Sequence, residues 1–184
     1  GNTTSGLGID KSTVEHTSYQ LLTNETTIWE AMTPSIVPGL SVIASERSLA
    51  GAEIELIGVE DREFILKKEV DKVRDNYDFV IIDCPPSLNT LTVNAMTTAD
   101  TVLVPIQCEY YALEGLSELI YTIELVKERL NNKLEIEGVV FTMYDARTCL
   151  SLQVVENVKQ NLHQNIYKTI IPRNVRLAEA PSHG

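Results

Sequence analysis

Apolar positions along this chain fall into short runs and helical rhythms that alternate from residue 40 onward. Phe79, Val80, Ile81 and Ile82 make a run too short for a helix, rich in β-branched side chains and closed by Pro85 and Pro86. It reads as a strand buried on both faces. Residues 40–44, 101–106, 138–142 and 167–171 read as further strands. Pro105 is expected at a strand end, because it cannot donate a ladder hydrogen bond. Between the strands lie helical patterns over residues 48–58, 61–75, 88–99, 113–130 and 152–162. In the longest, Leu113, Leu116, Leu119, Ile120, Ile123, Val126 and Leu130 keep a three-and-four spacing. In the last, Leu152, Val155, Val158 and Leu162 share one side.

Before residue 40 the pattern is weaker. Residues 1–8 are rich in Gly, Thr and Ser and read as a flexible loop. A short helix is predicted to hold Ile28, Trp29 and Met32, capped by Thr26 or Thr27 and ended by Pro34. The alternation after residue 40 predicts an α/β fold: a three-layer, mostly parallel β-sheet with helices on both faces, in one domain over residues 1–184.

Composition changes this picture little. At 184 residues, 43% hydrophobic and 22% charged, the chain can bury a substantial core. Its net charge of −11 argues against a surface that coats nucleic acid broadly, while leaving room for a local basic patch. No apolar run approaches the roughly 18 residues that cross a bilayer. Cys84, Cys108 and Cys149 are far apart and without metal-ligand spacing, so they read as reduced packing residues of a cytosolic protein.

Candidate chemistry gathers at Asp83, at the carboxyl end of the 79–82 run, where open α/β sheets place their ligands. Two roles fit a lone carboxylate there. It can hold a hydrated Mg²⁺ beside a nucleotide phosphate, or it can cap the turn through its own side chain.

Four blocks make the reading more specific. They are residues 49–56 (Leu-Ala-Gly-Ala-Glu-Ile-Glu-Leu), 83–87 (Asp-Cys-Pro-Pro-Ser), 108–116 (Cys-Glu-Tyr-Tyr-Ala-Leu-Glu-Gly-Leu) and 171–182 (Ile-Pro-Arg-Asn-Val-Arg-Leu-Ala-Glu-Ala-Pro-Ser). In this order, and over essentially the whole chain, they resemble the ParA/Soj family of partition ATPases, relatives of the MinD-like deviant Walker ATPases. The family's phosphate loop, Lys-Gly-Gly-Val-Gly-Lys-Thr-Thr, does not occur in these residues. Nor does its Asp-Pro-Gln-Gly-Asn motif, except that Gly1 and Asn2 match the last two positions. The resemblance therefore implies a first strand, phosphate loop and first helix ahead of Gly1, and a final helix beyond Gly184.

Residue by residue, the resemblance implies that Asp83 is the Walker B carboxylate that orients Mg²⁺, directly or through water. Pro85, Pro86 and Ser87 match the segment that senses the γ-phosphate. Gly1 and Asn2 match the end of a switch that positions the attacking water. Met143 and Asp145, with Pro172 and Arg173, match the adenine pocket. The cofactors so implied are ATP and Mg²⁺. The partners are a ParB-type protein, non-specific DNA and a second copy of the chain, in the bacterial cytoplasm on the nucleoid and without a membrane. Lys168, Arg173 and Arg176 stand against Glu179 in an otherwise acidic chain and are the candidate DNA contacts. The fragment itself is expected to lack ATPase activity without the loop. Three other readings fit the same pattern: a non-catalytic binding remnant, a MinD-like ATPase of division-site placement, and a synthetase that phosphorylates a carboxylate. An unpaired 79–82 segment is expected to expose apolar surface and to reorder the strands or drive self-association.

Overall fold

The computed structural model describes residues 2–85, 87, 89–109, 112–162 and 164–182. They fall into two compact units, residues 1–98 with 178–184, and residues 99–177.

The second unit follows the alternation of the sequence. Strand β3 (Thr101–Gln107), helix α7 (Ala112–Arg129), strand β4 (Glu135–Tyr144), helix α8 (Cys149–Asn161) and strand β5 (Ile166–Pro172) form a parallel sheet in the order β3-β4-β5. The register sets Val104 beside Val139 and Ile106 beside Phe141, so these four side chains share one face, and all are buried. Leu116, Ile123 and Val126 of α7 and Val154, Val155 and Val158 of α8 are buried as well. Each such side chain contributes about 1.5–3 kcal/mol.

Three expectations change in this unit. Pro105 lies inside β3, opposite Val140, not at its end. Cys108 N–H donates to Thr142 O, and by alternation the Pro105 nitrogen points away from β4. As β3 is an edge strand, no ladder bond is lost there. In α8 the buried stripe runs through Ser151, Val154, Val155 and Val158, and Leu152 is exposed. Thr148 caps the helix by accepting from Ser151 N–H. Of the cysteines, Cys108 is the packing residue, whereas Cys84 and Cys149 are exposed thiols.

The first unit departs further. Residues 2–6 form a short helix, α1 (Asn2–Gly6), where a loop was expected. Helix α2 (Ser18–Leu22) starts in a capping box in which Gln20 accepts from Thr17 N–H at 2.9 Å. Helix α3 (Ile28–Ala31) begins in the same way, Glu30 accepting from Thr27 N–H at 3.0 Å. It ends before Met32, whose extended backbone opens strand β1 (Met32–Pro34). Strand β2 (Ser41–Ile43) pairs with β1 antiparallel, joined by a turn at Gly39 with φ +81°. The strand expected at residues 40–44 thus exists but belongs to a hairpin, not to the parallel sheet.

Helix α4 (Leu49–Glu55) lies within the predicted 48–58 pattern. The helix predicted over 61–75 is broken into a 3₁₀ turn at Arg62–Phe64, helix α5 (Ile65–Val70) and a second turn at Arg74–Asn76. Asp61 at φ +55° precludes a continuous start. The Asn94 side chain then inserts between Arg62 and Leu66, donating to Arg62 O at 2.8 Å and accepting from Leu66 N–H at 3.2 Å. Asn94 belongs to helix α6 (Thr90–Thr98) and is fully buried. Leu21, Ile28, Val70 and Val73 form one core cluster and Leu22, Leu56 and Ile65 another.

The largest correction concerns residues 79–82, which form no strand. Phe79 is 85% and Ile81 90% exposed. A β-branched run becomes a strand only where a neighbour completes its ladder. Among the described residues β1 and β2 pair with each other, and nothing pairs with this run. The last anchor before it is Tyr77, whose hydroxyl donates to Ser41 Oγ at 2.8 Å.

Candidate functional site

Two groups of the residues singled out by the sequence come together, one in each unit. In the first unit Asp83 is exposed, and its Oδ2 accepts a hydrogen bond from Thr3 Oγ1 of α1. Asn2 begins that helix, next to Thr3. A depression of about 350 Å³ opens over α1, lined by Asn2, Thr3, Gly6, Leu7 and Pro181. Cys84, beside Asp83, has its thiol pushed up by desolvation and by the Asp83 charge, so the proton is retained. Pro85 and Ser87 are exposed. Gly1 and Pro86 lie outside the described residues, as do Tyr110 and Tyr111 of the third sequence block.

Ser87 is tied down from α6. Thr92 Oγ1 donates to Ser87 O at 2.6 Å, and Asn89 Oδ1 accepts from Thr92 N–H at 3.0 Å. Asn89 Nδ2 reaches Ser87 Oγ at 3.1 Å and a carboxylate oxygen of Glu53 on α4.

In the second unit Met143, Asp145, Pro172 and Arg173 meet at the carboxyl ends of β4 and β5. This is the edge at which α/β sheets bind ligands. Tyr144 lies opposite Pro172, and Arg173 N–H donates to Tyr144 O at 2.9 Å. Met143 has φ +53°, a left-handed backbone rare for a side chain of its size. Asp145 accepts from Arg147 Nε at 2.9 Å, a guanidinium nitrogen at 2.7 Å and Arg147 N–H at 3.0 Å. These bonds, with the Arg147 and Arg173 charges, hold its carboxyl well below the usual carboxylate range. Lys168, Arg173 and Arg176 are all exposed. Arg176 N–H donates to Asn174 Oδ1 at 2.8 Å as α9 (Val175–Glu179) begins.

Thr3, Arg147, Asn89 and Glu53 were not singled out in the sequence. For Arg147 a signal was present, since Asp-Ala-Arg-Thr at 145–148 is a turn in which Asp accepts from the backbone two residues on. For Thr3, 80 residues from Asp83, no local signal exists.

The donor set at Asp83 suits Mg²⁺. That ion takes oxygen ligands and keeps several waters, so one carboxylate beside a hydroxyl, completed by phosphate, is enough. Among the described residues no three His, Cys, Asp or Glu side chains gather into a protein-only metal cage. No helix among them is long and apolar enough to cross a membrane.

A family model for an AAA domain matches residues 1–136. The chain is 54% identical over its full length to sporulation initiation inhibitor protein Soj of Bacillus subtilis and spans 73% of that protein. It is 47% identical over its full length to chromosome partitioning protein ParA of Myxococcus xanthus, spanning 65% of it. Among solved structures, cobyrinic acid a,c-diamide synthase from Mycobacterium smegmatis, with bound ADP and magnesium, superposes on 98% of the chain. The TM-score is 0.86 at 33% identity, and 74% of that protein is covered. Sequence blocks, parallel sheet and these relatives agree: the chain belongs to the ParA/Soj family of chromosome-partitioning ATPases, on a P-loop NTPase-like α/β fold.

Proposed function

We propose that this chain is part of a Mg²⁺-dependent ATPase of chromosome or plasmid partition. It acts as a nucleotide-switched dimer on non-specific DNA with a ParB-type partner, in the bacterial cytoplasm at the nucleoid. The observation that carries the reading is the 54% identity to Soj along all 184 residues. It is supported by Asp83 standing exposed with an oxygen-rich neighbour at its carboxylate.

Phosphoryl transfer asks the protein mainly to position charges. Asp83 holds Mg²⁺, directly or through water, and the ion offsets negative charge on the phosphates. Pro85, Pro86 and Ser87 face the γ-phosphate. Asn2, with Gly1, ends the switch next to the attacking water. In the second unit, Asp145 is held ionised as an acceptor, and with Met143, Pro172 and Arg173 it is the candidate for adenine contacts. Lys168, Arg173 and Arg176 serve DNA phosphates, a contact that salt weakens.

These residues contain no Gly-Lys-Thr phosphate loop, and the strongest phosphate contacts lie in such loops. The 184-residue chain alone therefore neither binds Mg·ATP at micromolar concentration nor turns it over. A second reading, a carboxylate-activating synthetase, is favoured by the 33% identity to the diamide synthase.

DNA-stimulated hydrolysis separates the two. The protein equipped with its phosphate loop should hydrolyse ATP faster when DNA and its ParB-type partner are present. Hydrolysis that responds only to a carboxylic acid and an amide donor would establish the synthetase instead.

A further inference from the structure

One amide holds Ser87. Asn89 Oδ1 accepts from the Thr92 backbone N–H, and a backbone donor fixes which end of the amide is oxygen. Its Nδ2 must then point to Ser87 Oγ and to Glu53. Thr92, itself buried, clamps the Ser87 carbonyl from the other side. Ser87 is thus held at two atoms. By accepting from Asn89, its hydroxyl uses a lone pair toward the amide and keeps its own O–H for a further acceptor. Glu53 adds an ionic acceptor on α4, and hydrogen bonds to charged groups are the stronger kind.

We propose that Asn89 and Glu53 are positioning residues for the phosphate-facing Ser87: a latch that ties Ser87 to α4 and presents its hydroxyl as a donor. The latch acts through Ser87 and rests on the reading of this residue as part of the Mg·ATP site. It also gives that site a mechanical route to α4, because a phosphate that pulls Ser87 pulls on Glu53 through one side chain.

The test uses Cys84, the exposed thiol next to Asp83, as a local probe. Iodoacetamide alkylation at this site is followed by mass spectrometry at a fixed neutral pH. Asn89→Asp removes the donor and sets a carboxyl against Glu53. Glu53→Gln returns a donor to the pair. The Cys84 rate should change about tenfold in Asn89→Asp, the size expected for one lost charge-assisted bond. It should return to within about threefold of the parent in the double variant. Alkylation rates taken without denaturant, compared with each variant's urea midpoint, separate local opening at Cys84 from global unfolding. An unchanged rate in Asn89→Asp, or no recovery in the double variant, overturns the latch. Rates that only follow global stability overturn it too. In the protein equipped with its phosphate loop, Mg·ATP should slow Cys84 alkylation. Absence of that protection refutes the nucleotide-site reading, whereas the latch is judged on the nucleotide-free rates.

Discussion

Asn94 offers the sharpest energetic prediction. Its side chain is fully buried and makes three hydrogen bonds: to Arg62 O at 2.8 Å, to Thr90 O at 3.0 Å and from Leu66 N–H at 3.2 Å. The Thr90 carbonyl lies one helical turn back on α6, so losing that bond costs little. Removing the amide with Asn94→Ala strips the Arg62 carbonyl and the Leu66 N–H of a partner at a fully buried site. Each unsatisfied buried group costs about 1–3 kcal/mol, for a total of ~2–6 kcal/mol. With a urea slope of about 2–3 kcal/mol/M for a chain of this size, the midpoint should fall by ~1–3 M. Equilibrium urea unfolding followed by circular dichroism measures it. Asn94→Asp adds a signature in pH. A carboxylate there would face two carbonyl oxygens, so the folded form retains the proton and the new carboxyl's pKa is raised. Its stability is then greatest below the unfolded value near ~3.9 and is lost as pH rises through the folded value. A loss below about 0.5 kcal/mol in Asn94→Ala would refute the reasoning, because Arg62 and Leu66 would have closed on each other as in a continuous helix.

Two further predictions follow from the second unit. The Asp145 carboxyl is held low by Arg147, so its contribution is present above the unfolded pKa of about 3.9 and is lost as pH falls below it. In Asp145→Asn the fall of the urea midpoint on acidification should be shallower than in the parent, and equal slopes would contradict the pairing. At Gly138 an added Cβ would sit 2.8 Å from the Tyr167 ring, whose hydroxyl donates to Glu137. Gly138→Ala should therefore cost about 1–3 kcal/mol. It should cost less in a Tyr167→Ala background, which thermal unfolding of the four proteins would check.

The parts of the fold legible in the sequence are those held by neighbours close in the pattern. The stretch from Thr101 to Pro172 alternates strand and helix, each element finding its partner one step along the chain, and periodicity sufficed. Pro105 was misplaced because pattern alone does not reveal that its strand lies at a sheet edge, where an interior proline is tolerated. Residues 79–82 failed for the opposite reason. Their composition states a preference for a strand but not whether a ladder partner is there. The 61–75 helix failed because a side chain 28 residues ahead of Leu66 enters the turn, which no local pattern reveals.

The site divides along the same line. Asp145 and Arg173 stand at strand ends and were singled out by the family resemblance. Thr3 and the Asn89–Glu53 bond arise from tertiary contact and left no mark in spacing. The expected exposure of the 79–82 run is present in the structure, with Phe79 and Ile81 among its most exposed apolar residues.

The account turns on Asp83 as the carboxylate that brings Mg²⁺ to a nucleotide. Isothermal titration of ATP with and without Mg²⁺, into the protein equipped with its phosphate loop, compares the parent with Asp83→Asn. Mg²⁺ should tighten ATP binding in the parent by about tenfold or more, as one carboxylate–metal contact warrants. The same ion should leave ATP affinity nearly unchanged in Asp83→Asn. An equal Mg²⁺ dependence in both proteins would contradict the assignment and return Asp83 to the role of a turn-capping side chain.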